Sequence, residues 1–427
     1  MKIKILFIII ILMITPSLYS ETEKPVAVVL AGGGARGAYQ IGVWKAMLDC
    51  EIDIGAVYGV SVGAINGAMM AVGDFKTAKD LWQKIEKDNV MNIDEVADRI
   101  LAGEFSFRNL LDAATGFYNN GGIDVSPLEA LLRRHIDEDT VRSSGIDFGL
   151  AAFSVTDIEQ KLYDIEDIPQ GQLVDYILAS ANFPLFQRKF INGEEFIDGG
   201  IYKNMIINMV DSSKFNKAIV VALDFYAPED ILDLLSGYSK YDFELQIITP
   251  GIELGSILDF NPEKARKLMR IGYLDGLKAS GKLSGTKYYI YGKDTIKNMY
   301  LQLEKNERRT AAELLEISIP PAYNFTYGYY SFDRLIVPEL REKYDTDLSL
   351  LEHYAQSEGL PADLLYSEAE LLHKIINSYI HRPYSSIYYD RYLDFLSYLD
   401  LKTEMANYSN EEFSSRFLES YKGFTEE

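Results

Sequence analysis

The chain has 427 residues, 42 of them Lys or Arg against 64 Asp or Glu, for a formal charge of −22, with 48% apolar and 25% charged side chains. This composition supplies a substantial hydrophobic core and excludes wholesale disorder and a collagen-like fibre, while a single cysteine, Cys50, excludes a disulfide-stapled miniprotein. The excess of acid argues against nucleic acid as a partner and against attraction to anionic headgroups, so any membrane contact must be apolar and local.

Met1 to Ser20 carries two lysines, an apolar run from Ile5 to Ile14, then Pro16 with small or polar residues. This is the layout of a secretory signal peptide, cleaved before Glu21. The run is about half of the roughly 20 residues that a membrane-spanning helix needs. Export without an internal disulfide fits a periplasmic, outer-membrane-associated or secreted protein, and Cys50 reads as a small residue near the end of a helix.

Pro25 to Ala31 is a short continuous apolar run, followed by the glycine turn GGGARG and by AYQIGVWKAMLDC at helical spacing. The plan repeats at Ile54 to Tyr58, with a turn at GVSVG and a helix of small residues, AINGAMMAV. Phe148 to Val155, Lys161 to Ile165 and Lys217 to Phe225 read as further strands, with helices at Pro127 to Ile136 and Gln172 to Asn182. Buried strands alternating with helices predict an α/β fold, a mostly parallel sheet covered on both faces. Asn261 and Pro262 open another helix. Beyond about Lys282 the chain turns to amphipathic segments rich in Tyr and Glu, broken by PPAYNFTYGYY. The expected organisation is a signal peptide over 1–20, an α/β domain over 21–281 and a mainly helical region over 282–427.

Gly59, Val60, Ser61, Val62 and Gly63 form G-x-S-x-G directly between a strand and a helix. In that setting a serine is forced outward, its flanking glycines avoid collision with neighbouring backbone, and the helix N-terminus favours developing negative charge. Without the strand-turn-helix setting, Ser61 reads as an ordinary helix cap. As a nucleophile it needs a base. The four histidines, His135, His353, His373 and His381, read as surface residues on helical segments. Asp198, after Phe196 and Ile197 and before Gly199 and Gly200, sits instead at an expected strand end on a tight turn. By itself the Asp-Gly-Gly run is also a hairpin signal. Gly32, Gly33 and Gly34 leave amides unshielded that can converge on an anion, as an oxyanion hole. Arg36 either orients that turn or is a solvated cation. The rival reading takes Gly32, Gly34 and Gly37 with Asp53 as a dinucleotide fingerprint, which leaves Ser61 and Asp198 unexplained.

GGGARG, GVSVG and DGG in this order resemble the patatin-like phospholipase family, and ASANFPLFQ from Ala179 to Gln187 is similar to the family's segment before its aspartate. The resemblance covers about Pro25 to Phe225. It implies a three-layer α/β/α fold, a Ser61–Asp198 dyad, an oxyanion loop at Gly32 to Gly34 with Arg36, no metal or other cofactor, and hydrolysis of acyl esters in membrane phospholipids or lysophospholipids. The chain departs from the family in having Ala31 before the glycines and no proline around Asn204, Met205 and Ile206. An inactive lipid-binding or adhesion protein on the same scaffold is the other reading.

Overall fold

The computed structural model describes residues 24–92, 122–223, 228–236, 239–292, 295–314, 347–380, 390–403 and 415–425. The expected signal segment, His381 and the PPAYNFTYGYY stretch lie outside these residues. The first half runs β1 (Val26–Leu30), α1 (Ala38–Asp49), β2 (Ile54–Val60), α2 (Val62–Val72), α3 (Phe75–Gln83), α4 (Ser126–His135), β3 (Asp147–Ser154), β4 (Glu159–Asp164), α5 (Leu173–Ser180), β5 (Lys189–Ile191) and β6 (Glu194–Asp198). Then come β7 (Lys217–Val221), α6 (Pro228–Leu235), β8 (Glu244–Ile248) and α7 (Pro262–Ala279).

One sheet has the order β5-β6-β3-β2-β1-β7-β8, with β4 also paired to β3. Five neighbouring strands, β3, β2, β1, β7 and β8, are parallel, whereas β4 and β6 run antiparallel to β3. The expected mostly parallel α/β sheet is therefore present, with an antiparallel extension at the β3 side. In β1, Val28 and Leu30 belong to the apolar cluster on one face, and Ala27 and Val29 to that on the other. Alternating side chains of a central strand must be apolar on both sides, hence the unbroken run that identifies it in sequence. Helices α1, α2 and α7 cover the first face. The irregular stretch containing Met205, Ile206, Ile207 and Phe215 helps cover the second. The edge strand β4 carries charged residues and a half-exposed Leu162, which suits a border on water.

The C-terminal region contains β9 (Tyr289–Tyr291), α8 (Thr295–Gln302), α9 (Lys305–Leu314), α10 (Asp347–Ser357), β10 (Leu365–Ser367), α11 (Glu368–Ile380), α12 (Asp390–Thr403) and α13 (Ser415–Thr425). It is mainly helical, as expected, and adds a parallel β9–β10 pair of three residues each, too short to announce itself by periodicity. A separate apolar cluster, including Tyr288, Tyr300, Leu351, Ile375 and Phe395, holds it together. The last helix, α13, leaves that cluster: Phe424 is buried against the first core, 5.5 Å from the Tyr273 ring, and Arg416 bonds Glu51 at 2.8 Å and the Leu48 carbonyl at 2.7 Å. Among the described residues no helix is long and apolar enough to cross a membrane.

Candidate active site

Sheet register brings the two reactive side chains to one place. Val60 at the end of β2 pairs with Ala151 of β3, and the next β3 residue, Ala152, pairs with Asp198 of β6 along the same edge, since β4 occupies the other edge of β3 from Gly149 to Ser154. Ser61, one residue beyond Val60, therefore meets Asp198 where β2 and β6 come end to end along β3. The Ser61 hydroxyl lies beside the Asp198 carboxylate and favours its ionised form, and both residues are buried.

Ser61 has φ 55° and ψ −123°, a left-handed conformation that non-glycine residues seldom adopt, and its side chain makes no capping bond to α2. The simple cap is thereby ruled out, and the hydroxyl is left to face Asp198. A Cβ on Gly59 would lie 2.2 Å from the Gly63 carbonyl oxygen, and one on Gly63 would lie 2.2 Å from that of Leu30, so both turn glycines are sterically required. The Ser61 amide donates to Ser180 Oγ at 2.9 Å, and that hydroxyl donates to the Ala151 carbonyl at 2.6 Å, tying the turn to α5 and β3.

Asp198 ends β6 and starts a 3-10 turn, Gly199–Ile201, so the Asp-Gly-Gly run is not a hairpin. Its amide donates to the Asn182 carbonyl at 2.8 Å, and its Oδ1 accepts the Gly200 amide at 2.8 Å. Burial pushes the carboxyl up to about 6, against the opposing effect of the Ser61 and Gly200 hydrogen bonds, which favour the ionised form. A carboxylate so placed is ionised at neutral pH and is a better proton acceptor than an exposed aspartate.

The glycine loop divides into a held part and an open part. Gly32 is buried and its amide is already committed, donating to Asn204 Oδ1 at 2.8 Å, which removes it from the expected set of oxyanion donors. Gly33 and Gly34 are partly exposed, and among the described residues their amides have no hydrogen-bond partner. Gly34 has φ +56°, and a Cβ there would come within 2.2 Å of the Ile257 carbonyl oxygen. Arg36 is a tie rather than an oxyanion donor: its Nε donates to the Gly255 carbonyl at 2.8 Å, its Nη1 to that of Leu223 at 3.0 Å, and its amide to Gly33 at 3.2 Å. Behind the loop, Gln40 donates to the Ala31 carbonyl at 2.7 Å, and Asn66 donates to the Gly37 carbonyl at 3.0 Å.

Ser61, Asp198 and Gly32 to Gly34 line a cavity of about 990 Å³ whose remaining wall is largely apolar, including Met69, Trp82, Leu132, Phe183 and Leu254. That volume is at the upper end of ordinary ligand pockets. His135, expected on the surface, is half-buried in the cavity wall near the end of α4. His353 and His373 are exposed, the first beside the Tyr354 ring and the second bonded to Asn377. Asp53 is exposed in the turn that enters β2, at the opposite end of that strand from the glycine loop and Ser61, so it cannot serve the ribose as a dinucleotide fingerprint requires. Sequence reasoning missed Ser180, Asn182 and Asn204. The first two lie in the ASANFP stretch already noted for its resemblance, whereas Asn204 had no signal beyond its place after the Asp-Gly-Gly turn.

A family model described as patatin-like phospholipase matches residues 28–211. Patatin-like phospholipase domain-containing protein 7 of Mus musculus is 24% identical over 209 residues, 48% of this chain and 14% of that protein. The probable lipid hydrolase 463L of Invertebrate iridescent virus 6 is 23% identical over 196 residues, 45% of this chain and 66% of that protein. The chain thus covers a small part of the first of these relatives. Among solved structures, VipD from Legionella pneumophila aligns with 91% of this chain and 92% of its own, at 14% identity and a TM-score of 0.38.

Proposed function

Residues 28–211 form a patatin-like phospholipase domain, and from that premise we propose that the protein hydrolyses fatty-acyl esters of membrane phospholipids or lysophospholipids. The observation that carries the reading is the buried Ser61–Asp198 pair, side by side at the wall of a large apolar cavity. Asp198 accepts the Ser61 proton as the serine oxygen bonds to the acyl carbonyl carbon. The carbonyl electron pair moves to oxygen, where the Gly33 and Gly34 amides and the N-terminus of α2 stabilise it. Collapse breaks the ester bond, and the leaving alkoxide takes the proton back from Asp198. Water, deprotonated by Asp198, then attacks the acyl-serine; the bond from Ser61 Oγ to the acyl carbon breaks, Ser61 takes the proton back from Asp198, and the fatty acid leaves. The apolar wall suits the acyl chain, and its burial supplies binding that is the same in ground and transition states.

The test is fatty-acid release from phospholipid and lysophospholipid vesicles by the wild type, Ser61→Ala and Asp198→Asn. Loss of turnover in both variants, with circular dichroism unchanged, is expected; undiminished release by either removes that residue from its role. Met1 to Ser20 is proposed as a cleaved export signal, and the N-terminal sequence of the protein recovered from its host checks it.

A further inference from the structure

Two buried polar side chains beside the site have no part in the chemistry above. Asn204 has 0% exposed surface, and its amide grips both backbone groups of Gly32: Oδ1 accepts from the Gly32 amide at 2.8 Å and Nδ2 donates to the Gly32 carbonyl at 3.1 Å. Asn204 is held in turn. Its own amide donates to Asp230 Oδ2 at 2.9 Å, and the Met205 amide donates to Asp230 Oδ1 at 3.0 Å. Asp230, in the first turn of α6, also has 0% exposed surface. Beside this pair, Lys203 and Asp233 form a second buried link between the same two segments, at 2.7 Å.

The position of the Asn204 side chain is as informative as its bonds. A Cβ on Gly32 would lie 2.7 Å from Asn204 Oδ1, and so would one on Gly200, whose amide bonds Asp198. One side-chain oxygen is thus wedged between the glycine loop and the aspartate turn. An amide this deeply buried is costly to place unless its hydrogen bonds are made, and here both ends are made to one residue. The two glycines that follow Gly32 are those whose amides have no partner among the described residues.

We propose that Asn204 is a positioning residue: by clamping Gly32 it aims the Gly33 and Gly34 amides at the acyl oxygen, and Asp230 fixes the clamp from α6. The proposal rests on the esterase reading, and it separates two kinds of contact. The apolar wall of the cavity binds the substrate chain whether or not the loop is aimed. The loop amides act on charge that exists only in the transition state, so loss of the clamp lowers kcat and leaves KM nearly unchanged.

In Asn204→Ala, kcat is expected to fall by about 10²-fold, the scale of losing an oxyanion donor, with KM within about threefold of wild type. Inhibition by a trifluoromethyl ketone bearing the substrate's acyl chain, which forms an oxyanion on Ser61, should weaken by a similar factor. Asn204→Asp keeps an acceptor for the Gly32 amide and loses the donor to its carbonyl, so a smaller drop in kcat, about tenfold, is expected. Asp230→Asn keeps one acceptor for the two backbone amides and should lower kcat least. Hydrogen exchange of the peptide spanning residues 31–37, read by mass spectrometry, reports the clamp without turnover and should rise in Asn204→Ala. A folded Asn204→Ala with wild-type kcat, or a loss confined to KM, overturns the proposal, as does unchanged exchange in that peptide. Should Asn204→Ala fail to fold, full activity in a folded Asn204→Asp overturns it equally. Faster exchange in Asn204→Ala, from a wild type with no Ser61-dependent turnover, sinks the esterase reading and leaves the clamp standing as structure alone.

Discussion

The sheet end that carries Ser61 and the C-terminal cluster around Tyr300 and Phe395 are both well buried, yet they use polar groups differently. At the sheet end, buried Gln40, Asn66, Ser180 and Asn204 each hold a backbone atom of a turn next to the cavity. In the C-terminal region, Glu352 accepts the amides of Thr286, Lys287 and Tyr288 at 2.7, 2.8 and 2.9 Å, holding a short connection that enters β9. Among the described residues the cavity lining ends at Phe260, so none of it comes from the C-terminal region. Polar burial in the first region fixes the turns that line the cavity, where the proposed reaction takes place; in the second it holds a connection away from that cavity. Substitutions in the two should therefore separate into losses of turnover and losses of stability.

The largest effect should come from Ser61→Ala, with turnover reduced on the order of 10³-fold or more in vesicle assays. Its melting temperature should stay close to that of wild type, because the hydroxyl makes no capping bond to α2. Gly34→Ala comes next. Its left-handed φ and the close Ile257 carbonyl oblige the loop to move, and a fall in kcat of about 10²-fold is expected while the fold persists. A comparable fall in Glu352→Gln would erase the distinction between the two regions.

A third expectation uses pH. Asp198 must be ionised to accept a proton, so kcat/KM should decline as pH falls through about 6. The sign for stability is opposite. The folded carboxyl titrates above its unfolded value of 3.8, so the folded state binds more protons between these values, and this group's contribution to stability is lost as pH rises from about 4 to 6. Asp198→Asn should therefore melt a few degrees higher than wild type at pH 7.5 and show little such gain at pH 4, by differential scanning calorimetry. Smallest in its effect on chemistry is Arg416→Ala. It removes the bonds from α13 to Asp49, Glu51 and the Leu48 carbonyl, so the melting temperature should fall while kcat/KM stays within about twofold.

Legibility in the sequence followed physical locality. β1, β2 and the Ser61 turn were readable because a two-sided buried strand needs an unbroken apolar run and a sharp turn into a helix needs glycines at fixed offsets. Asp198 was singled out by combining a strand end with the lack of a suitable histidine, and the structure places it at the end of β6. The Gly32–Asn204 pairing was not readable, because it joins residues far apart in the chain through a polar side chain that no periodicity marks. For the same reason the glycine loop was expected to offer Gly32 as an open donor, when tertiary contact had already engaged it. β5 has three residues and β8 mixes Glu and Gln with apolar side chains, so neither carries a clear strand pattern. His135 was misjudged because Arg133, Arg134 and Asp137 around it read as a solvated face, although α4 also turns Leu128 and Leu132 into the cavity wall.

The return of α13 to α1 and α7 means that order along the chain and order in space do not coincide. Phe417, Tyr421 and Phe424 lie against the first apolar cluster although they come after the whole second one. A fragment ending at Gly281 would keep every described cavity-lining residue and yet present a bare greasy stripe to water around Tyr273, inviting self-association. The smallest fragment that keeps the first core covered must thus include α13, so dissecting this protein calls for grafting that helix back onto the shortened chain rather than simply cutting it off.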